Sequence, residues 1–463
     1  MGLLYGSAAA QPNGISQMRS SHAAGAVPAS FSDPNLIASA GLVPLVRLAK
    51  RHGLPDLISQ HVRLSVTTGA NPAGKAMTIV AGMCAGADSI DDLDMLRTGG
   101  MDKAFDTIYA PSTLGSFLRS FTHGHVRQLQ AATGRFTAAL VGELGLLADS
   151  DVVHLDIDSK VKQVYGPAKQ GASFGYTKVR GLHFLVVTAS TPHSRPAIVA
   201  TRLRAGRAGS GRGAASLAVE TIRTLRTAGI TATILVRADS AFFSAKLVEA
   251  CRDTPGVHFS ITVANTEQTR ASIQKIPEAA WMPIKYRNAV WDDDERRWVS
   301  EAEIAEIPQD AFTSKKPKYH VTARLIVRRV KRLNPTTVPE GQGELFAVWR
   351  HHGFYTDDTL VIEQVFYDLE NGPLGHLPSG KFQANAAWLT LAAAAFNLMR
   401  DAGRLAGPFH AMATGATLRK TLINTTARIA SSARRIHLHL PDGWPWADPF
   451  NRLLAHTGHR MAC

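Results

Sequence analysis

Between residues 150 and 264 the chain reads as three strands in succession, then helix, strand, helix, strand. Few folds accept that order. The strands "VVHLDIDS", "GLHFLVVTAS" and "PAIVATRLRAG" are each bounded by turn residues, as consecutive neighbouring strands are. The helical "ASLAVETIRTLRTAG" leads to the strand "TATILVRAD", and the helical "SAKLVEACRD" leads to the strand "HFSITVAN". The expected fold is a mixed α/β sheet with flanking helices.

The first of these strands carries unusual cargo. Val153, Leu155 and Ile157 alternate with His154, Asp156 and Asp158, so the apolar side chains share one face and both acids share the other. Asp239 closes the fourth strand, and Glu363 lies in the helix-patterned "VIEQVFYDLENG". Three carboxylates thus fall on three elements. Hard oxygen ligands of this kind hold magnesium, with waters and phosphate oxygens completing the shell. Two such ions about 3.5–4 Å apart serve both the attacking and the leaving oxygen of a phosphodiester displacement. An Asp closing a strand is also a common turn or cap residue, so the pattern alone leaves both readings open.

Charge narrows the choice of partner. The 463 residues carry a formal net charge of +14 while only 19% are charged, which points to a polyanion. Nucleic acid fits better than acidic lipid, because no Lys-rich amphipathic helix or lipidation signal accompanies the charge. Cys84, Cys251 and Cys463 lack the spacing of a disulfide framework or a zinc site, which implies a reducing cytoplasm. The opening "MGLLYGSAAAQPNG" has no basic region before its apolar patch, and "AAWLTLAAAAFNL" is too short to span a bilayer.

Along the chain, residues 1–33 read as a loose leader rich in Ala, Ser, Gly and Pro. Residues 34–147 read as a helical DNA-binding domain. Within it, Pro111 and Ser112 signal a helix start, followed by Leu114, Phe117, Leu118 and Phe121 at helical spacing, with Arg119 on another face. That helix is read either as a DNA-facing element or as a plain structural one. Residues 148–267 hold the first part of the core. Residues 268–352 alternate apolar and charged residues at period two and read as an antiparallel β insertion, with Trp291 and Trp298 flanking a hairpin turn. Residues 353–436 read as the second part of the core and, from 358, as helical; "NAAWLTLAAAAFNLMRDAG" is apolar nearly all round, as a buried helix is. Residues 437–463 form a tail. His123, His125, His351 and His352 show no zinc-ligand pattern.

Candidate DNA contacts are Arg202, Arg204, Arg207 and Arg212 in the glycine-rich "RLRAGRAGSGRGAAS", and Arg324, Arg328, Arg329 and Lys331 in "RLIVRRVKRLNP". Arg119, Arg237 and Lys381 complete the set. The glycine-rich stretch lacks the Gly-Lys-Ser/Thr ending of a nucleotide-binding loop, so no nucleotide cofactor is expected.

The motifs "LDIDS", "VRADSAFFS" and "VIEQVFYDLENGPLGHLPSGKFQANAAWLTLAAAAFNL", with "AGADSIDDLDMLRTGG", "APSTLGSFLR" and "VYGPAKQGASFGYTKVRGLH", resemble the DDE transposases of bacterial insertion sequences. The likeness is to the large branch, whose RNase H-like core is interrupted by a β-strand insertion, and it covers most of residues 35–450. It implies Asp158, Asp239 and Glu363 as the catalytic acids holding two Mg2+ ions, with Mn2+ as a substitute. Asp156 is then a supporting neighbour, or the ligand if the register shifts by two. The implied activity is hydrolysis at the ends of the element followed by transesterification into target DNA. Partners would be double-stranded DNA and a second copy of the chain at synapsis, with no membrane, in a cytoplasmic, nucleoid-associated setting. The sequence departs from the family where Tyr, Arg and Lys are usual around the Glu, with Thr356, Thr359 and Glu370, and Lys160 stands where a Thr is usual. These departures favour the alternative of a decayed or repurposed transposase that acts as a DNA-binding protein. A further rival is a nuclease of the same fold that cuts without joining.

Overall fold

A computed structural model describes residues 30–64, 69–143, 145, 147, 150–191, 194–283, 290–292, 297–299, 302–331, 349–357, 376–432 and 435–458. The chain divides into residues 1–34 and 35–463, and every element named below lies in the second part.

The N-terminal region is helical, as its periodicity predicts. After the two-residue strand β1 (Leu36–Ile37) come α1 (Leu42–Arg51), α2 (Leu54–His61), α3 (Pro72–Ala85), α4 (Pro111–Arg119) and α5 (His123–Glu143). Pro stands in the first turn of α2, α3 and α4, where its missing N–H breaks no helical bond and its fixed φ suits the helix. Leu114, Phe117 and Leu118 are buried and Arg119 is exposed.

Beyond residue 150 lies one large mixed sheet. Its spine is β2 (Val152–Gln163), antiparallel to β4 (Arg180–Ser190) and parallel to β6 (Thr233–Ala238). Short turns join β2, β3 (Ser173–Phe174), β4 and β5 (Ala197–Ala205), so these pair antiparallel. α6 (Ala214–Thr227) precedes β6, and α7 (Ala245–Arg252) separates β6 from β7 (Val257–Val263). Such helical crossovers return the chain in the same direction, and β2, β6 and β7 are accordingly parallel. The order β5-β4-β2-β6-β7, with helices on both faces, is that of an RNase H-like core.

Alternation in the strands builds two hydrophobic layers. Val153, Leu155, Ile157, Leu185 and Val187 pack against α6 and α7 through Leu217, Ile222, Leu247 and Val248. Leu182, Phe184, Val186, Ile198 and Leu203 face the other way and join the N-terminal helices and α9 (Phe382–Ala406), which follows α8 (Glu267–Gln274) along the chain, in a second core. α9 is buried along nearly its whole length, including Trp388, Leu389, Leu391 and Leu398. Each large apolar side chain removed from water there contributes about 1.5–3 kcal/mol. The Asn397 amide accepts from the Ile198 N–H at 2.8 Å and donates to its carbonyl at 2.7 Å. It thereby satisfies a backbone unit on the outer edge of β5 as a neighbouring strand would.

The period-two segment forms strands as expected, and they continue the central sheet. β13 (Trp349–Thr356) pairs antiparallel with β7, and β12 (Val321–Lys331), β11 (Ala302–Ala311) and β8 (Met282–Pro283) follow outward. β9 (Val290–Asp292) and β10 (Arg297–Val299) form a separate hairpin in which Trp291 and Trp298 stand opposite one another, the cross-strand pairing anticipated for those residues. The helical reading of 358–436 needs one correction. β14 (Ala427–Ser432) and β15 (Arg435–His439) form a hairpin that β1 completes. Ile436, Leu438 and Leu440 alternate with His437 and His439, and that period-two pattern suits a strand rather than a helix. Among the described residues no helix is long and apolar enough to cross a membrane.

Candidate active site

Two of the three acids singled out in the sequence meet at one end of the sheet. In the parallel pairing of β2 with β6, Ile157 stands opposite Ala238. Asp158, still on β2, and Asp239, the residue after β6, come next, where neighbouring strands lie about 4.8 Å apart. Clefts at the carboxyl ends of parallel strands are where open α/β sheets bind ligands. Asp239 is exposed and caps the following turn, its Oδ1 accepting from the Ala241 N–H at 2.8 Å. Asp158 is half-buried, and its Oδ1 accepts from the Ser159 N–H at 2.5 Å. Burial pushes the Asp158 carboxyl up to about 6, the Ser159 N–H opposes that rise, and the charge of Asp239 adds to it. The two carboxylates are therefore close enough to repel.

Asp156, whose charge also raises the Asp158 pKa, has a cationic partner of its own. Arg237 lies directly opposite it on β6 and grips it with two hydrogen bonds, Nε to Oδ1 at 2.6 Å and Nη2 to Oδ2 at 2.8 Å. The Arg237 side chain is 10% exposed and that of Asp156 27%. A bidentate, part-buried pair of this geometry holds both groups in place. Each residue sits two positions before an acid, and opposite charges at matching offsets on two paired strands are a signal that the sequence already contained.

The other candidate basic residues fall into different settings. Arg202 donates to both oxygens of Glu220 at 3.0 Å and to Ser216. Arg204 is 7% exposed and gathers the loop after β5, its Nη1 donating to the carbonyls of Gly209, Ser210 and Arg212 at 2.8–2.9 Å. Its Nη2 donates to Nε2 of the fully buried His183, whose Nδ1 donates to the Ala208 carbonyl. Burial, and then the Arg204 charge, push the His183 pKa down, in keeping with a neutral ring. Arg207 and Arg212 are exposed on this loop. The loop abuts the turn that follows Asp239, since a Cβ on Gly211 would lie 3.3 Å from the Ala241 carbonyl oxygen.

On β12, Arg324 pairs with Glu306 at 2.8 Å and Arg328 is exposed. Arg329 is buried between the indoles of Trp281 and Trp349, 4.2 and 4.3 Å from their centroids, and is ion-paired with Glu278 and Glu303. Lys331 ends β12 opposite Trp349, and its side chain lies outside the described residues. Lys381 is exposed at the N-cap of α9. Glu363, Thr359 and Glu370 lie outside the described residues. Thr356 is buried at the end of β13, where its hydroxyl donates to the Phe259 carbonyl at 2.6 Å.

Among the described residues no three metal-binding side chains cluster. The donor chemistry of Asp158 and Asp239 nevertheless fits a divalent cation, since hard carboxylate oxygens are what such an ion takes and their mutual repulsion is what its charge would relieve.

The family described as transposase DDE domain group 1 matches residues 20–338 and 372–460. The chain belongs to this transposase family. Both Asp158 and Asp239 fall inside the matched stretches, whereas residues 339–371, with Glu363, fall between them. No curated protein matches the transposase. Family membership makes it an enzyme of DNA transposition, a class that binds DNA, cuts it and typically uses a divalent metal.

Proposed function

We propose that this transposase binds the terminal inverted repeats of its own element, cuts the phosphodiester bonds at their ends and joins the released strands to target DNA. The single observation that carries the reading is the adjacency of Asp158 and Asp239 where the parallel pairing of β2 with β6 ends, with the charge of Asp239 raising the pKa of Asp158. In this reading Asp158, Asp239 and Glu363 hold two Mg2+ ions, for which Mn2+ substitutes. When bound, the ions supply Lewis-acid activation of the attacking oxygen and charge stabilisation of the leaving oxygen.

The chain's own residues do the rest. Arg237 grips Asp156 and offsets part of the negative charge that Asp156 adds beside Asp158. Arg204 and His183 hold the 206–213 loop beside the Asp239 turn, so that Arg207 and Arg212 face the DNA backbone as phosphate contacts. Arg119, Arg328 and Lys381, all exposed, extend that basic surface. Two copies of the chain act together, each engaging one end. Residues 34–147 act as a helical DNA-binding domain, and residues 268–352 form a β-strand insertion in the core.

The test is cleavage and strand transfer on DNA carrying the ends of the element. Asp158→Asn, Asp239→Asn and Glu363→Gln should each reduce cleavage by at least about a hundredfold, the scale of losing an electrostatic group in a reaction centre, while end binding in the absence of metal persists. Wild-type-like cutting by any of the three would remove that residue from the site. End binding by the wild-type chain without any metal-dependent cutting would instead favour a repurposed DNA-binding protein, the reading that Thr356, Thr359 and Glu370 motivate.

A further inference from the structure

The segment joining β2 to β4 exposes aromatic rings that the fold does not use. Tyr165 is 79% exposed and Phe174 66%, whereas Tyr176, also exposed, sets its ring 6.0 Å from that of His183. Tyr165 and Phe174 line one open depression of about 510 Å3 together with Gly166, Pro167, Lys178 and Arg180. Large exposed aromatics gathered beside cations are uncommon on a surface without a partner. The depression is also held in shape. The Arg180 guanidinium donates to the carbonyls of Gly166 and Pro167 at 2.9 and 3.0 Å, and Phe174 stands opposite Arg180 in the pairing of β3 with β4. A Cβ at Gly206 would collide with the carbonyl oxygens of Ser173 and Gly181, so the 206–213 loop packs directly beneath β3 and braces it.

We propose that this depression is a stacking platform for unpaired bases, with Tyr165 and Phe174 as the rings and Lys178 and Arg180 supplying positive charge for the backbone. The ligand is single-stranded or locally opened DNA. The choice of occupant rests on charge and chemistry. The rings sit among cations in a chain of net charge +14, and aromatic faces beside a basic groove are how proteins hold single strands without reading their sequence. Placement agrees, because β2 continues from Asp158 to Gln163 and reaches Tyr165 about 20 Å further along, within the roughly 34 Å of one duplex turn. The inference rests on the DNA-processing reading: strands opened during cutting or joining are what such a platform would catch.

The test uses the full chain without divalent metal and measures fluorescence anisotropy with labelled oligothymidylate and, separately, with a duplex of equal length. Tyr165→Ala and Phe174→Ala should each weaken single-strand binding about tenfold and leave duplex binding unchanged, while Tyr165→Phe, which keeps the ring, retains wild-type affinity. Both side chains are mostly exposed, so truncation leaves the core intact. Undiminished single-strand binding, or equal losses for single strand and duplex, would overturn the platform. So would a change in oligomeric state with single-strand binding unaltered, since the face would then serve a second copy of the chain. Because binding is read without metal, failure of the cleavage assay with ring-dependent single-strand binding intact would count against the reaction and not against the platform.

Discussion

Asp158 is held where its charge is least welcome, half out of water and beside Asp239, and its carboxyl is accordingly pushed up to about 6. Its folded pKa lies above its unfolded one. In the absence of a cation, the stability this group contributes is therefore complete below the unfolded pKa and is lost as pH rises through about 6. A bound cation reverses the preference, because it requires the deprotonated form. Metal-supported cleavage should accordingly rise about tenfold per pH unit up to about 6 and flatten above it. A pH profile at fixed, subsaturating Mn2+ checks this, and a rate that is flat across that window would detach Asp158 from the metal.

At the scale of elements, the outer strands depend on a buried arginine. Arg329 lies between Trp281 and Trp349 and bridges Glu278 and Glu303. Removing it would leave the mostly buried Glu303 without its partner and open a gap between two indoles. Arg329→Ala should lower stability by about 3 kcal/mol, read by urea unfolding, and Arg329→Lys should recover little, since an ammonium offers neither the planar face nor the fork. A phosphate-gripping role would instead appear as intact stability with weaker, less salt-dependent DNA binding. The element order was legible in the sequence because alternation and turn residues are local signals: β2, β4, β5, β6 and β7 all stand where the patterns put them. What joins distant segments was not. β1 completes a hairpin nearly 400 residues away, and β13 attaches the outer strands to β7 through pairings that no local period encodes. Asp158 and Asp239 could be read as strand residues, but the depression holding Tyr165 and Phe174 could not, because exposed aromatics in a turn-rich segment leave no periodic trace.

At the scale of the whole molecule, the fold reconciles two opposed demands. A surface with an excess of fourteen positive charges draws in DNA, while a pair of acids at the sheet's end repels it until a cation intervenes. The core on one face of the sheet fixes α6 and α7 behind the strands, and α9 with the N-terminal helices closes the other face, so Asp158 sits on a rigid strand and Asp239 directly after one. The most direct measurement is a crystal structure of the chain grown with Mn2+, with the ion located by its anomalous scattering. The expected result is manganese coordinated jointly by the Asp158 and Asp239 carboxylates, with Glu363 completing the protein ligands. Manganese bound elsewhere, or Asp158 and Asp239 sharing no ion, would contradict it.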